Sequence, residues 1–297
     1  MENKKIKALI TGITGQDGSH MKDLLLERGY DVTGVGRQSI YHIIQSIKEI
    51  QPDEIYNFAS SSNVFDAWSN IDYVFETDAL LPQKILECIK GTEVKFFQAS
   101  SCLTFGLNKD GIQNENTPRC PIHPYGIAKL YADNMVSEFR RVYNVYACSG
   151  IFFNHCSPRR GDGFFAKKVC RAAAKGESIK LGNLDAVRDM GYATDYMEAV
   201  YLMMHQEQPK DYVIGTGNLI SMKDFVKKCY EYVGLDFTKY IVVDESLNRI
   251  NDMNILRADI TGIKALGWQP KTTMDEMIKI MIDYERTRCT TGSLVGL

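Results

Sequence analysis

Thr11-Gly12-Ile13-Thr14-Gly15-Gln16-Asp17-Gly18 follows the strand-like run I-K-A-L-I and opens a segment with helical spacing. The glycines stand as G-x-x-G-x-x-G. Glycine permits a tight turn and lets a pyrophosphate approach the backbone closely. The free N–H groups and dipole of the following helix then face the anion. Three spaced glycines alone often mark only a turn; here the strand–turn–helix context carries the reading. Gly12, Thr14, Gly15, Gln16, Asp17 and Gly18 are therefore the candidate dinucleotide-binding residues.

Outward from this turn, apolar strand-like runs alternate with amphipathic helical patterns. Strands are expected at residues 6–10, 31–35, 54–58, 94–99 and 146–152, and helices at 19–27, 40–50, 71–89 and 125–143. This order predicts an α/β fold, a Rossmann-type doubly wound parallel sheet. From residue 154 the pattern becomes irregular, with a helix at 166–175 and then scattered polar loops, as expected of a smaller C-terminal substrate-binding lobe. Helix and strand patterns at 195–205 and 212–215 return the chain to the sheet. The expected division is a dinucleotide-binding domain at 1–153, with returning segments near 190–218, and a lobe made mainly from 154–297.

Composition narrows the function classes. A chain of 297 residues, 44% apolar and 24% charged, can bury a large core. A net charge of −2 argues against nucleic-acid or polybasic membrane partners. No apolar run approaches the roughly 20 residues that span a bilayer, and the N-terminus reads as a first strand, not a signal peptide. The eight cysteines are scattered without a C-x-x-C, as expected of reduced thiols in a cytoplasmic protein. Neither they nor the five histidines show metal-ligand spacing.

The chemistry concentrates between residues 98 and 129, in Q-A-S-S-C-L-T-F-G and, after a polar loop, H-P-Y-G-I-A-K. Tyr125 and Lys129 stand one helical turn apart and project from one face. An ammonium beside a phenol stabilises phenolate, so Lys129 is expected to lower the Tyr125 pKa toward working pH. Such a pair can take a proton from an alcohol while a nicotinamide takes the hydride. Ser101 can supply a hydroxyl to hold the same alcohol. No carboxylate stands between Ser101 and Gly106, and Leu103 occupies the place where a second acid/base group is expected. After the second strand, Arg37 can pair with a 2′-phosphate or stack on adenine, and no acidic residue is present for a ribose 2′-hydroxyl.

These motifs together resemble the extended short-chain dehydrogenase/reductases, and within them the GDP-mannose 4,6-dehydratase group. The similarity runs through A-L-I-T-G-I-T-G-Q-D-G-S (8–19), Q-P-D-E-I-Y-N (51–57), H-P-Y-G-I-A-K-L-Y-A (123–132), Y-A-C-S-G-I-F-F-N-H-C-S-P-R-R-G (146–161), L-G-N-L-D-A-V-R-D-M-G (181–191) and L-G-W (266–268). The resemblance implies that Tyr125 is the acid/base, Lys129 its modulator and ribose ligand, and Ser101 the third active-site hydroxyl. It places a GDP-sugar against Asn154, Lys168, Leu181, Gly182, Asn183, Arg188, Arg249 and Asp252. The surrounding R-I-N-D-M departs from the group's usual R-P-x-E-V. Arg159 and Arg160 are expected to pair with Asp185 or Asp189. A homodimer or larger homo-oligomer is implied, through a helix pair that includes 125–143, with Leu130, Met135 and Val136 as contacts or as intrachain core.

Three departures from the group alter the expected activity. The dehydratases carry a glutamate where this chain has Leu103. They oxidise C4, then use a base to remove the C5 proton and assist loss of the C6 hydroxyl. Leucine cannot do this, so C4 redox chemistry is expected without dehydration. The segment between Arg37 and Ile40 is short, which removes an acidic adenine contact and oligomer contacts. The relatives' paired arginines become Arg37-Gln38, so NAD is the expected cofactor, with NADP the alternative. The expected function is a 4-dehydrogenase or 4-keto reductase for a GDP-sugar of manno configuration, hexose or heptose, in bacterial capsule or lipopolysaccharide supply. The alternatives are a 4-epimerase, a dehydratase with a replaced base, and a non-catalytic nucleotide-binding subunit. Asp66, Cys102 and His155 are the available replacement groups, but none stands at the matching position.

Overall fold

The computed structural model describes residues 5–62, 66–107, 111–247 and 255–290. Strand β1 (Lys7–Thr11) leads into α1 (Gln16–Glu27), β2 (Asp31–Val35), α2 (Ile40–Ile50) and β3 (Glu54–Asn57). Next come α3 (Ile71–Phe75), a π-helical turn (Glu76–Leu80), α4 (Leu81–Ile89) and β4 (Lys95–Ser101). The long helix α5 (Pro124–Tyr143) precedes β5 (Ala147–Phe152). The main sheet runs β2-β1-β3-β4-β5-β9, with β9 at Tyr212–Ile214, and all its pairings are parallel. Strand order reverses between β1 and β3, so their C-terminal ends open the crevice where doubly wound sheets bind ligands.

The sheet is parallel and covered on both faces, so its inner strands are buried almost throughout, including the polar Glu54, Asn57, Gln98 and Ser149. Ile10, Tyr56, Phe97 and Ile151 pack on one face against α1 and on Met197 and Val200 of α7 (Ala193–Met204). Leu9, Ile55, Phe96 and Ala147 pack on the other against Ile43, Ile85 and Val136. Val136 is therefore core, and Met135 packs beside it. Helix α5 starts where His123 accepts a hydrogen bond from Gly126 N at 3.0 Å and Pro124 presets the first turn. It ends at Asn144 in the left-handed conformation, φ 53°.

The lobe is more regular than its polar sequence suggests. Strand β8 (Val187–Tyr192) pairs with β6 (Asn154–Cys156), β10 (Leu219–Ser221) and β12 (Ile255–Leu256). Helices α6 (Phe165–Lys175), α8 (Met222–Tyr232) and α10 (Met274–Thr290) enclose Val169, Phe225, Tyr230 and Met281. The stretch expected to be scattered loops thus holds strands of this four-stranded sheet, the parallel pair β7 (Ile179–Leu181) and β11 (Ile241–Val243), and the helices α8, α9 (Thr261–Lys264) and α10. Apart from the six-residue β8, its strands of two or three residues fall below the length at which periodicity is readable in sequence. Leu256, Ala258 and Trp268 return to the main core, and Trp268 Nε1 donates to Asp195 O at 2.9 Å. No helix among the described residues is long and apolar enough to cross a membrane.

Candidate active site

Gly12 turns the chain at φ +68°, and a Cβ there would lie 2.7 Å from Ala59 N. A Cβ on Gly18 would lie 2.4 Å from Gly12 O. Both positions are closed to any side chain, so helix α1 begins hard against the strand ends with its N–H groups facing outward. A cavity of about 300 Å³ opens there, bordered by Gly12, Gly15, Gln16 and Gly18. The geometry fits a dinucleotide pyrophosphate. Thr14 is exposed at the tip of the turn. Arg37 is exposed beyond β2, and its Nε donates to Tyr73 Oη at 2.8 Å.

Ser101, Leu103, Tyr125 and Lys129 border the same cavity. Strand β4 delivers Ser101 at its C-terminal end, and Ser101 Oγ accepts from Leu103 N at 3.2 Å. The first two turns of α5 deliver Tyr125 and Lys129. Lys129 is 1% exposed; its Nζ donates to Ala99 O at 2.9 Å and meets Asp78 Oδ1 at 3.0 Å. Asp78 comes from the π-helical turn and is fully buried. Such turns often mark functional positions in helices.

The structure corrects the expected behaviour of the phenol. Burial pushes the Tyr125 pKa above its ordinary value; Lys129 pulls it down, Asp78 pushes it up, and the hydroxyls of Ser60 and Ser101 pull it down. Burial disfavours the Lys129 ammonium, but Asp78 and Tyr125 outweigh it and raise that pKa. The resting pair is a phenol beside an ammonium already matched by a carboxylate.

Across the cavity, His155 Nε2 lies 2.9 Å from Asp17 Oδ1, and its Nδ1 lies 2.8 Å from Phe153 O. Burial acts to raise the Asp17 pKa, but His155, Arg160 and Gln16 overcome it and leave the carboxyl well below its usual range. Arg160 stacks 3.7 Å over Phe164. Burial and Arg159 push His20 down to about 4, beside Ser157 Oγ at 2.9 Å. Asp17 is the one carboxylate among the described residues bordering the cavity, and His155 engages it. Cys156 borders it too, with its thiol pushed up to about 11 by burial.

The chain matches the family described as GDP-mannose 4,6 dehydratase over residues 9–44 and 39–281. The two stretches meet beside the short 37–40 passage. The human GDP-mannose 4,6 dehydratase is 35% identical, over 93% of this chain and 90% of that one. The Vibrio cholerae El Tor enzyme is 33% identical, over 99% and 96%. The chain belongs to the GDP-mannose 4,6-dehydratase family. Its fold is that of the extended short-chain dehydrogenase/reductases. A UDP-glucose 4-epimerase of Thermotoga maritima, solved with UDP-glucose, superposes with a TM-score of 0.89 at 25% identity, covering 96% of this chain and 100% of that one. A dTDP-glucose 4,6-dehydratase of Bacillus anthracis, solved with NAD, gives 0.85 at 20%, covering 95% and 97%, a likeness of fold alone.

The structure brings only part of the family's expected sugar-side set together. Asn154 and Arg188 border the cavity, with Arg188 buried on β8. Lys168 is exposed on α6 and is not among the cavity's bordering residues. Leu181 is buried in the lobe core, and Asn183 Oδ1 accepts from Asp185 N at 2.9 Å in a local turn; neither borders the cavity, nor does Gly182. Arg249 and Asp252 lie outside the described residues. Arg159 pairs with Asp23 at 2.6 Å, not with Asp185 or Asp189. Asp189 instead accepts from Thr216 N at 2.8 Å, Gly217 N at 2.7 Å and Ala258 N at 3.2 Å.

Asp78 and Ser60 were missed in the sequence reading, and Arg160, read there as a partner of Asp185 or Asp189, borders the cavity over Phe164. Asp78 left a signal. It falls on the stripe of Val74, Leu81, Ile85 and Ile89, where a carboxylate buried without a partner would be costly. Ser60 left none, because a serine in a polar loop is commonplace.

Proposed function

We propose that this protein is an NAD-dependent oxidoreductase acting at C4 of a GDP-activated sugar of manno configuration, hexose or heptose, without eliminating water. The observation that carries this reading is the convergence of Ser101, Tyr125 and Lys129 on one cavity that Leu103 also borders. Gly12, Gly15, Gln16 and Gly18 hold the cofactor's pyrophosphate, and Lys129 holds its ribose beside Tyr125. NAD, when bound, supplies the hydride acceptor. Ser101 orients the C4 hydroxyl and Tyr125 exchanges its proton. Asn154 and Arg188 hold the diphosphate and so fix the sugar against these groups, which converts remote binding energy into positioning. The same residues serve oxidation and ketone reduction. A family-typical dimer through α5 fits this reading.

The relatives' named activity favours a second reading, in which elimination persists with another base. Incubation with GDP-mannose-type sugars and NAD, followed by nicotinamide absorbance and product mass, separates the two. Loss of two hydrogens from the sugar supports C4 oxidation, and loss of water overturns it. Conversion to an isomer of unchanged mass assigns the protein to epimerisation instead. Tyr125→Phe is expected to slow turnover by at least about a hundredfold while GDP-sugar binding persists. Turnover near wild type in that variant removes Tyr125 from the mechanism.

A further inference from the structure

Asp17 presents a conflict of charge. It lies in the first turn of α1, whose N-terminal end no side chain caps. It borders the cavity together with Gly15, Gln16 and Gly18. That helix end is the seat given above to the cofactor's pyrophosphate. A carboxylate left bare there repels the phosphates and competes with them for the positive end of the helix.

The hydrogen bonds of His155 resolve the conflict. Its ring is buried on β6, with Nε2 2.9 Å from Asp17 Oδ1 and Nδ1 2.8 Å from Phe153 O. A neutral imidazole offers one donor nitrogen and one acceptor nitrogen. A backbone carbonyl only accepts, so Nδ1 carries a proton. A carboxylate oxygen also only accepts, and Asp17 Oδ1 already accepts from Gln16 Nε2 at 2.9 Å. A second proton therefore lies between Nε2 and Oδ1. Asp17 does not hold it, because its carboxyl lies well below the usual range. The ring is an imidazolium, and the pair has no net charge.

The other groups around the ring leave this task to it. From α7, the Tyr196 ring lies 4.6 Å away, and burial keeps its phenol neutral. From β5, Phe152 meets the ring edge-on at 5.1 Å. From α1, His20 is neutral at neutral pH, held so by burial and Arg159. On the chain after His155, burial keeps the Cys156 thiol protonated. Arg160 acts on Asp17 only at longer range; it lies over Phe164, and its buried Nε has no hydrogen-bond partner.

We propose that His155 is a determinant of cofactor affinity: its imidazolium cancels the charge of Asp17 and so opens the start of α1 to the pyrophosphate of NAD. The proposal rests on the cofactor seat given above and is independent of the sugar. A separate bond, from Ser157 Oγ to Gln16 Oε1 at 3.1 Å, also holds the chain after β6 against α1. Replacing His155 thus leaves that attachment in place.

Calorimetric titration with NAD at neutral pH tests the charge. His155→Gln leaves Asp17 unmatched, and Kd is expected to rise by about tenfold or more. Adding Asp17→Asn to that variant removes the stranded charge and is expected to bring Kd back to within about threefold of wild type. A loss that persists in the double variant is what a merely structural histidine produces, and it overturns the proposal. So does wild-type affinity in His155→Gln. A second readout needs no cofactor: nitrogen-15 NMR of histidine-labelled wild-type protein at neutral pH, with the His155 signals identified by their shift in Asp17→Asn. Both ring nitrogens are expected to be protonated, and a bare nitrogen overturns the proposal. Absence of NAD binding by the wild-type protein overturns it together with the cofactor seat. NAD binding without turnover of any GDP-sugar counts against the proposed function alone.

Discussion

Lys129 and Asp78 meet at 3.0 Å inside the protein, one 1% exposed and the other fully buried. One comes from α5 and the other from the π-helical turn, so the pair ties two elements together directly behind the Tyr125 phenol. Removing one partner of such a pair strands the other charge in a place water does not reach.

Asp78→Ala is therefore expected to destabilise the fold by about 3–5 kcal/mol. Denaturant unfolding of the two proteins measures it. A loss under about 1 kcal/mol would place the pair among weakly contributing exposed bridges, against its burial.

Gly18→Ala should weaken NAD binding by about tenfold or more, a loss of only about 1.4 kcal/mol. The added Cβ would sit 2.4 Å from Gly12 O, and a backbone carbonyl cannot yield as a flexible side chain can. Calorimetric titration reads the affinity. Wild-type affinity in the variant would detach the Gly12–Gly18 turn from cofactor binding.

Leu103→Glu should make a fraction of turnovers lose water, because it restores an ionisable group on the cavity wall beside Ser101. Leu103→Gln, matched in size and unable to ionise, should not. Product mass distinguishes them; identical products from both variants would remove position 103 as a determinant of dehydration.

Acid sensitivity should report His20, whose folded pKa is about 4 against an ordinary value of 6.5. As pH falls through 6.5 toward 4, the unfolded chain takes up a proton that the folded one refuses, so stability declines across that window. Above 6.5 both states hold neutral histidine and the contribution is flat. His20→Asn should flatten the fall between pH 6.5 and 4 in denaturant melts. An unchanged slope would show that His20 is not the group responsible.

The main sheet was legible in the sequence because short strand-like runs alternate with helices of clear period. The Gly12–Gly18 turn and the Tyr125–Lys129 spacing are local geometry, set within a turn or two of chain. The lobe was less legible. Val187–Tyr192 carries an arginine and an aspartate in its middle, yet Arg188 and Asp189 are both buried. Their backbone and side-chain partners come from residues 217, 220 and 258, so nothing in the local pattern announces a central strand. Lys168 is the reverse case. A basic residue on the right helix suits a phosphate by type, and the fold leaves it exposed on α6, off the border of the cavity.

The sequence by itself determined the doubly wound fold, the Gly12–Gly18 turn and the one-turn spacing of Tyr125 and Lys129, because each depends on residue type and short-range spacing. Only the tertiary structure decided the protonation setting of Tyr125. That setting follows from burial and from Asp78 and Ser60, which stand 47 and 65 positions from Tyr125 in the chain. Electrostatic effects depend on distance in space and on exclusion of water, and neither is written in the order of residues.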